Sequence, residues 1–237
     1  MTNRHHLFAG MLAMLPLMVG VLPFGLLFGT LAVNAGLTGW QGFGMSAIVF
    51  AGSAQFIGVT LLASGVSVPV LLATTLVINL RHVLYSASVQ PGVQHWPRRW
   101  RWLLSFMLTD ELFAVFNLRL QNHGGGADTR WFLLGNSIAM YGTWLASTVL
   151  GIVLGQQIPD LSHWGLEFAM VATFAAIVGT QLTQHSMVAA ALAAGAGAML
   201  LRGMPYKLDL ILASLAGIVA GLLAERLPAR TVTEVQP

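Results

Sequence analysis

Arg81, His82, Asp110 and Glu111 are ionisable residues set inside long apolar runs. Asn79 and Tyr85 accompany the first two, and Thr109 precedes the acidic pair. Arg81 lies nine residues before Gln90 and Asp110 nine residues after Arg101, the two ends of a basic, Pro-containing connection. At 1.5 Å rise per residue both stand roughly 13 Å below one membrane face, near the middle of a core about 30 Å thick. If the two segments are antiparallel neighbours, a base and an acid meet at one level. A charge at that depth costs about 2.5–3.5 kcal/mol even on the most lenient scale, so these side chains must face protein and pair.

Two readings of the group stay open. An Arg81–Asp110 ion pair can pin two helices with no further role. Alternatively, the pair neutralises itself and leaves Glu111 as surplus negative charge beside His82, which titrates near neutral pH. That surplus could accept a proton.

The second polar feature is Ala51-Gly-Ser-Ala-Gln-Phe56. Gly52, Ser53 and Gln55 stand where lipid-facing Leu is expected. Such a stretch can unwind and offer free amides and carbonyls to a zwitterion. The plainer reading is a close helix crossing with Gln55 bonded across it. Pro23 and Gly25 belong to the same class, because proline removes a backbone hydrogen bond and kinks a helix; a kink alone is the plainer outcome. Asn136, Tyr141 and Trp144 are weaker signals. Glu167, Asp209, Gln181 and His185 fall near segment ends. His5 and His6 are adjacent on an N-terminal tail and give no metal-ligand spacing, so neither a metal nor a cofactor is expected.

The elements that must carry these residues are membrane helices. Of 237 residues 56% are apolar and only 8% are Asp, Glu, Lys or Arg, against about 25% charged in a soluble domain. Leu7–Val33 and Gly42–Leu80 contain no charge. In lipid each backbone amide is paired within its own segment, which selects helices, and the short alternating segments of a β-barrel are missing. The fold expected is an all-α, polytopic helical bundle forming a single transmembrane domain over residues 1–237. It has seven or eight segments, some of them broken or re-entrant: Leu7–Asn34, Phe43–Ala63, Val68–Val89, Trp102–Leu120, Trp131–Gly155, Leu166–Leu182, Met187–Leu201 and Leu208–Leu223. Trp40, Trp96, Trp100, Trp102, Trp131 and Trp164 fall at segment ends, as interfacial tryptophans do.

The net charge is +3, and eleven basic residues spread over the loops form no stripe for nucleic acid. They serve orientation instead, with Arg98, Arg99 and Arg101 marking a cytoplasmic loop and Arg202 with Lys207 a second. Eight full spans would then put Arg4 outside; one re-entrant early segment would bring it inside. The absence of cysteine excludes disulfides and thiolate chemistry. Gly25/Gly29, Gly151/Gly155 and Gly217/Gly221 are spaced for close helix approach, within the bundle or toward a partner subunit. The first two pairs are 126 residues apart, and Trp40 and Phe50 recur as Trp164 and Phe174, a sparse internal repeat.

Taken together, Pro23-Phe24-Gly25, Phe50-Ala-Gly-Ser-Ala-Gln-Phe56, Asn79-Leu-Arg-His82 with Tyr85, and Thr109-Asp-Glu111 resemble the AzlC family, the large subunits of branched-chain amino acid exporters. Phe168–Leu182 is similar to the family's sixth segment, departing from it at Gly179-Thr180 where the family has a Val-Pro step. The resemblance implies a small AzlD-type membrane partner subunit. It further implies efflux of leucine, isoleucine or valine, extending to methionine, driven by an ion gradient across a bacterial inner membrane. No G-x-x-x-x-G-K-[ST] loop occurs, so ATP is not the expected energy source. Two other classes remain for comparison. An intramembrane hydrolase would use Ser53, His82 and Asp110, but the G-x-S-x-G setting is missing. A passive channel or structural subunit would need no proton coupling.

Overall fold

The structure is a computed structural model and describes residues 2–157, 175, 179, 182, 184–204 and 208–226. The chain divides into two compact units, residues 1–174 and 175–237. The sixth expected segment, Leu166–Leu182, lies almost wholly outside the described residues, as do Trp164, Phe174 and Lys207.

In the first unit, α1 (Asn3–Asn34) is a 32-residue helix. Gly36, at φ +85°, ends it in a conformation suited to glycine. Thr38 and Gln41 then form a reciprocal capping box that starts α2 (Gly39–Ile48). The second expected segment is not one helix. It stops at Val49, and α3 (Gly52–Ala63) starts afresh. Phe50 has φ +43°, a left-handed conformation that a bulky residue rarely adopts. The break therefore falls just before the Gly52–Gln55 stretch, which is itself helical.

The third segment is α4 (Val68–Asn79) and α5 (Arg81–Val93), separated only by a tight turn in which Leu80 N–H donates to Val77 O. The fourth segment also breaks. α6 (Arg98–Met107) ends at Leu108, and Thr109 caps α7 (Asp110–His123). α8 (Ala127–Gln157) follows Gly124, at φ +68°. Among the described residues, three stretches are long and apolar enough to cross a bilayer: Asn3–Asn34, Val68–Val93 and Ala127–Gly155. Their outward faces are apolar. Phe8, Leu12, Leu15, Val19 and Leu22 recur every three or four residues along the exposed side of α1, the stripe a lipid-facing helix presents.

Contacts fix the directions. α1 and α8 run parallel, since Leu7 meets Gly135, Leu26 meets Gly151 and Thr30 meets Gly155. These offsets lie close to the 126-residue spacing of the glycine pairs, and Gly29 of the first faces Gly151 of the second. A Cβ on Gly29 would stand 2.2 Å from Thr148 O, and one on Gly151 2.1 Å from Leu26 O. α3 folds back against α2, with Gln55 bonded to Ser46 and Gly58 beside Met45.

α5 and α7 run parallel, which corrects the antiparallel arrangement expected from sequence. Arg81 pairs with Asp110, Tyr85 stacks on Phe113, Gly92 meets Leu120, and Trp96 Nε1 donates to Gly125 O at 2.7 Å. The physical reason is α6, which at ten residues makes the return of about 15 Å and leaves α7 to ascend again.

Two hairpins, α2–α3 and α6–α7, thus enter from opposite ends, and their tips meet where Phe50 lies 6.1 Å from Phe106. Arg4, Arg98, Arg99, Arg101, Arg119 and Arg130 all fall at the end holding the N-termini of α1 and α8. The opposite turns, residues 35–38 and 64–67, carry no charge.

The second unit contains α9 (His185–Leu200) and α10 (Leu208–Glu225). They pack antiparallel through small residues, Gly197 against Ala213 and Gly217 against Ala190 and Ala194. All three Gly-xxx-Gly pairs are thus occupied by contacts within the chain.

Candidate functional site

The breaks converge on one cavity of about 30 Å³, lined by Val21, Phe24, Phe50, Ala51, Gly52, Ser53, Arg81, His82, Thr109, Asp110, Glu111, Met140 and Trp144. Three helix N-termini meet there: α3 at Gly52, α5 at Arg81 and α7 at Asp110. The first amides of a helix lack intrahelical acceptors and carry partial positive charge. Thr109 serves α7, its hydroxyl accepting from Leu112 N–H at 3.4 Å. The α3 and α5 N-termini have no side-chain cap.

The charged wall is built by α5 and α7. Arg81 Nη1 donates to Asp110 Oδ2, and Tyr85 OH donates to Asp110 Oδ1 at 2.5 Å. Tyr85 lies flat on Phe113, ring centroids 4.5 Å apart, which fixes its hydroxyl. Both oxygens of Asp110 are thereby engaged by donors, while Glu111 meets the Thr109 side chain. His82 Nδ1 lies 3.2 Å from Asn79 O, and its ring meets Tyr85 edge-on.

The facing wall is apolar. Phe28 stacks on Trp144 at 6.2 Å behind it, and Phe50 meets Tyr141 edge-on at 4.9 Å. The indole Nε1 of Trp144 is buried with no hydrogen-bond partner.

Of the residues singled out in the sequence, the fold brings Gly52, Ser53, Arg81, His82, Asp110, Glu111 and Trp144 together on the lining. Five others stand behind it. Gln55 is fully buried and holds the α2–α3 break closed, its amide donating to Ser46 Oγ at 3.0 Å while its carbonyl accepts from Ala51 N–H at 3.2 Å. Ser46 in turn bonds Thr148 at 2.8 Å, which anchors the hairpin to α8. Gly25 admits α8, since a Cβ there would stand 1.9 Å from Ser147 Oγ. Pro23 lies within α1, Tyr85 orients Asp110, and Asn79 supplies the carbonyl beside His82. Val21 and Met140 were missed because nothing separates a cavity-lining aliphatic residue from a packed one in sequence. Phe24, Phe50 and Thr109 had shown themselves only as parts of motifs.

Among the described residues, two opposed hairpins meet three long apolar helical stretches around a charged centre, and this defines a polytopic membrane protein with a buried polar centre. The chain belongs to the AzlC protein family, whose pattern matches residues 16–158. It is 29% identical over 216 residues to the Inner membrane protein YgaZ of Escherichia coli, covering 88% of this chain and 85% of that one. An uncharacterized membrane protein of Archaeoglobus fulgidus is 30% identical over 221 residues, 91% of this chain and 90% of its own. The Branched-chain amino acid transport protein AzlC of Bacillus subtilis is 26% identical over 163 residues, 69% and 63% of the two chains. No solved structure matches the chain.

Proposed function

We propose that this chain exports branched-chain amino acids (leucine, isoleucine, valine and, by extension, methionine) across the bacterial inner membrane. It works as a proton-coupled secondary transporter together with a small AzlD-type membrane subunit. The observation that carries this reading is the chemistry of the cavity. One wall holds acids beside a base, the α3 N-terminus presents uncapped amides at Gly52 and Ser53, and the remaining wall is aliphatic and aromatic. A zwitterion with an apolar side chain fits this set. Its carboxylate suits the α3 amides and Arg81, its ammonium suits Glu111 and Asp110, and its aliphatic tail suits Phe24, Phe50 and Met140. Broken helices at the bilayer midplane serve substrates in this way in other secondary transporters.

A cavity of about 30 Å³ holds about one water, whereas small-molecule pockets span roughly 300–1,000 Å³. The conformation described is therefore closed, and the hairpins must separate to admit substrate. Clustering of basic residues orients the α1 and α8 N-termini to the cytoplasm. This orientation places Arg4 with Arg98, Arg99 and Arg101 on one side, as the re-entrant hairpins permit.

The hydrolase alternative lacks its geometry. Asp110 is engaged by Arg81 and Tyr85 rather than by His82, whose Nδ1 faces a backbone carbonyl. The deciding experiment is counterflow of labelled leucine, valine and methionine in proteoliposomes, with and without the small subunit, under an imposed pH gradient. Flux requiring both subunits and accelerated by the gradient is expected. No flux with both subunits present, or flux indifferent to the gradient, refutes the proposal.

A further inference from the structure

Below the cavity, toward the basic end, α8 carries a second polar feature that the transport reading does not use. Asn136 is fully buried, and neither its amide nitrogen nor its oxygen has a hydrogen-bond partner; the hydroxyl of neighbouring Ser137, 1% exposed, is likewise unpartnered. An unsatisfied buried polar group costs roughly 1–3 kcal/mol, so three such atoms in adjacent residues are expensive unless another state of the protein satisfies them. Asn136, Met140 and Trp144 are spaced by four residues and so share one side of α8. The latter two line the cavity, and Asn136 continues their row about 6 Å closer to the basic end.

α7 packs alongside, and its outer end is fastened to α8. Arg119 Nη2 donates to Asp128 Oδ2 at 2.8 Å, and the same guanidinium lies over the Phe132 ring, 4.9 Å from its centroid. Asp128 and Phe132 stand two turns and one turn from Asn136 toward that end.

We propose that the row Trp144–Met140–Asn136, with Ser137, is the fixed wall of the route between cavity and basic face. In this proposal Asn136 and Ser137 receive the polar head of the amino acid, and Arg119 latches α7 over the route by holding Asp128 and Phe132. The proposal rests on the transport reading for its ligand, but the route can be tested without transport. The chain has no cysteine, so Asn136→Cys can be labelled with a membrane-impermeant thiol reagent in inside-out and right-side-out vesicles without background. Labelling from the basic side only is expected, accelerated at least tenfold by Asp128→Asn. Ser137→Cys reads the same route should Asn136→Cys fail to fold. Ser147→Cys, buried against α1, reports general loosening and should stay unlabelled in both backgrounds. Labelling from the other side, no acceleration, or equal acceleration at Ser147→Cys overturns the route, whatever the transport assay gives. In proteoliposomes that carry wild-type flux, Asn136→Leu should keep or raise the melting temperature while lowering leucine flux at least tenfold. Undiminished flux overturns the role of Asn136 while leaving the exporter reading intact.

Discussion

Removing Arg81 should separate the structural from the functional value of the charged wall. Arg81→Met leaves the Asp110 carboxylate with Tyr85 as its donor, deep among apolar residues. Breaking a buried pair by removing one partner costs about 3–5 kcal/mol, much of it from the stranded charge. Arg81 and Asp110 retain 23% and 13% side-chain exposure and Tyr85 still donates, so we expect the lower end, about 3 kcal/mol. Replacing both, as Arg81→Met with Asp110→Asn, removes the stranded charge and should recover at least about 2 kcal/mol of that loss. The assay is reversible unfolding of the purified protein in mixed micelles, run as a double-mutant cycle. Leucine counterflow is measured on the same samples. The double variant should be stable and inactive. A double variant whose loss equals the sum of the two single losses would refute the pairing argument. A stable double variant with full flux would reduce the pair to a pin between helices.

Three further outcomes follow from the site and its frame. Glu111→Gln should abolish acceleration of leucine flux by a pH gradient while sparing exchange without one, as followed in the same vesicles; retained acceleration would remove Glu111 from coupling. Gly151→Ala places a methyl 2.1 Å from the Leu26 carbonyl oxygen and should cost about 1–3 kcal/mol in unfolding, whereas Gly142→Ala meets nothing within 4 Å and should be neutral or stabilising. Gln55→Leu strands the Ala51 amide at the α2–α3 break and should cost about 1–3 kcal/mol by the same measurement, although Gln55 does not line the cavity.

The helical membrane class was legible because hydropathy is a property of the chain alone. Direction was not. Hydropathy cannot tell one span from two half-helices, since both must be apolar, and so the α6–α7 hairpin read as a single segment. One local signal was present: Thr109 followed by Asp110 and Glu111 is a helix start, with a capping hydroxyl and acids in the first turn. Read that way, it would have placed the break and turned the antiparallel neighbours into parallel ones. Phe50 gave no such warning, because a bulky residue rarely adopts the left-handed backbone it has here. Gln55 illustrates the opposite difficulty. A glutamine in an apolar segment signals a hydrogen bond, but the sequence does not name the partner, and here it is the protein's own backbone and Ser46.

The glycine-lined seam between α1 and α8 limits what a working cycle can look like. Backbones that meet through glycine, with carbonyl oxygens where a methyl group would clash, have no side chains to re-pack and so no second register to slip into. Those two rods form a keel, and whatever rocks must rock around it. The hinges are already cut at Phe50 and Leu108, where one helix has ended and the next has yet to begin.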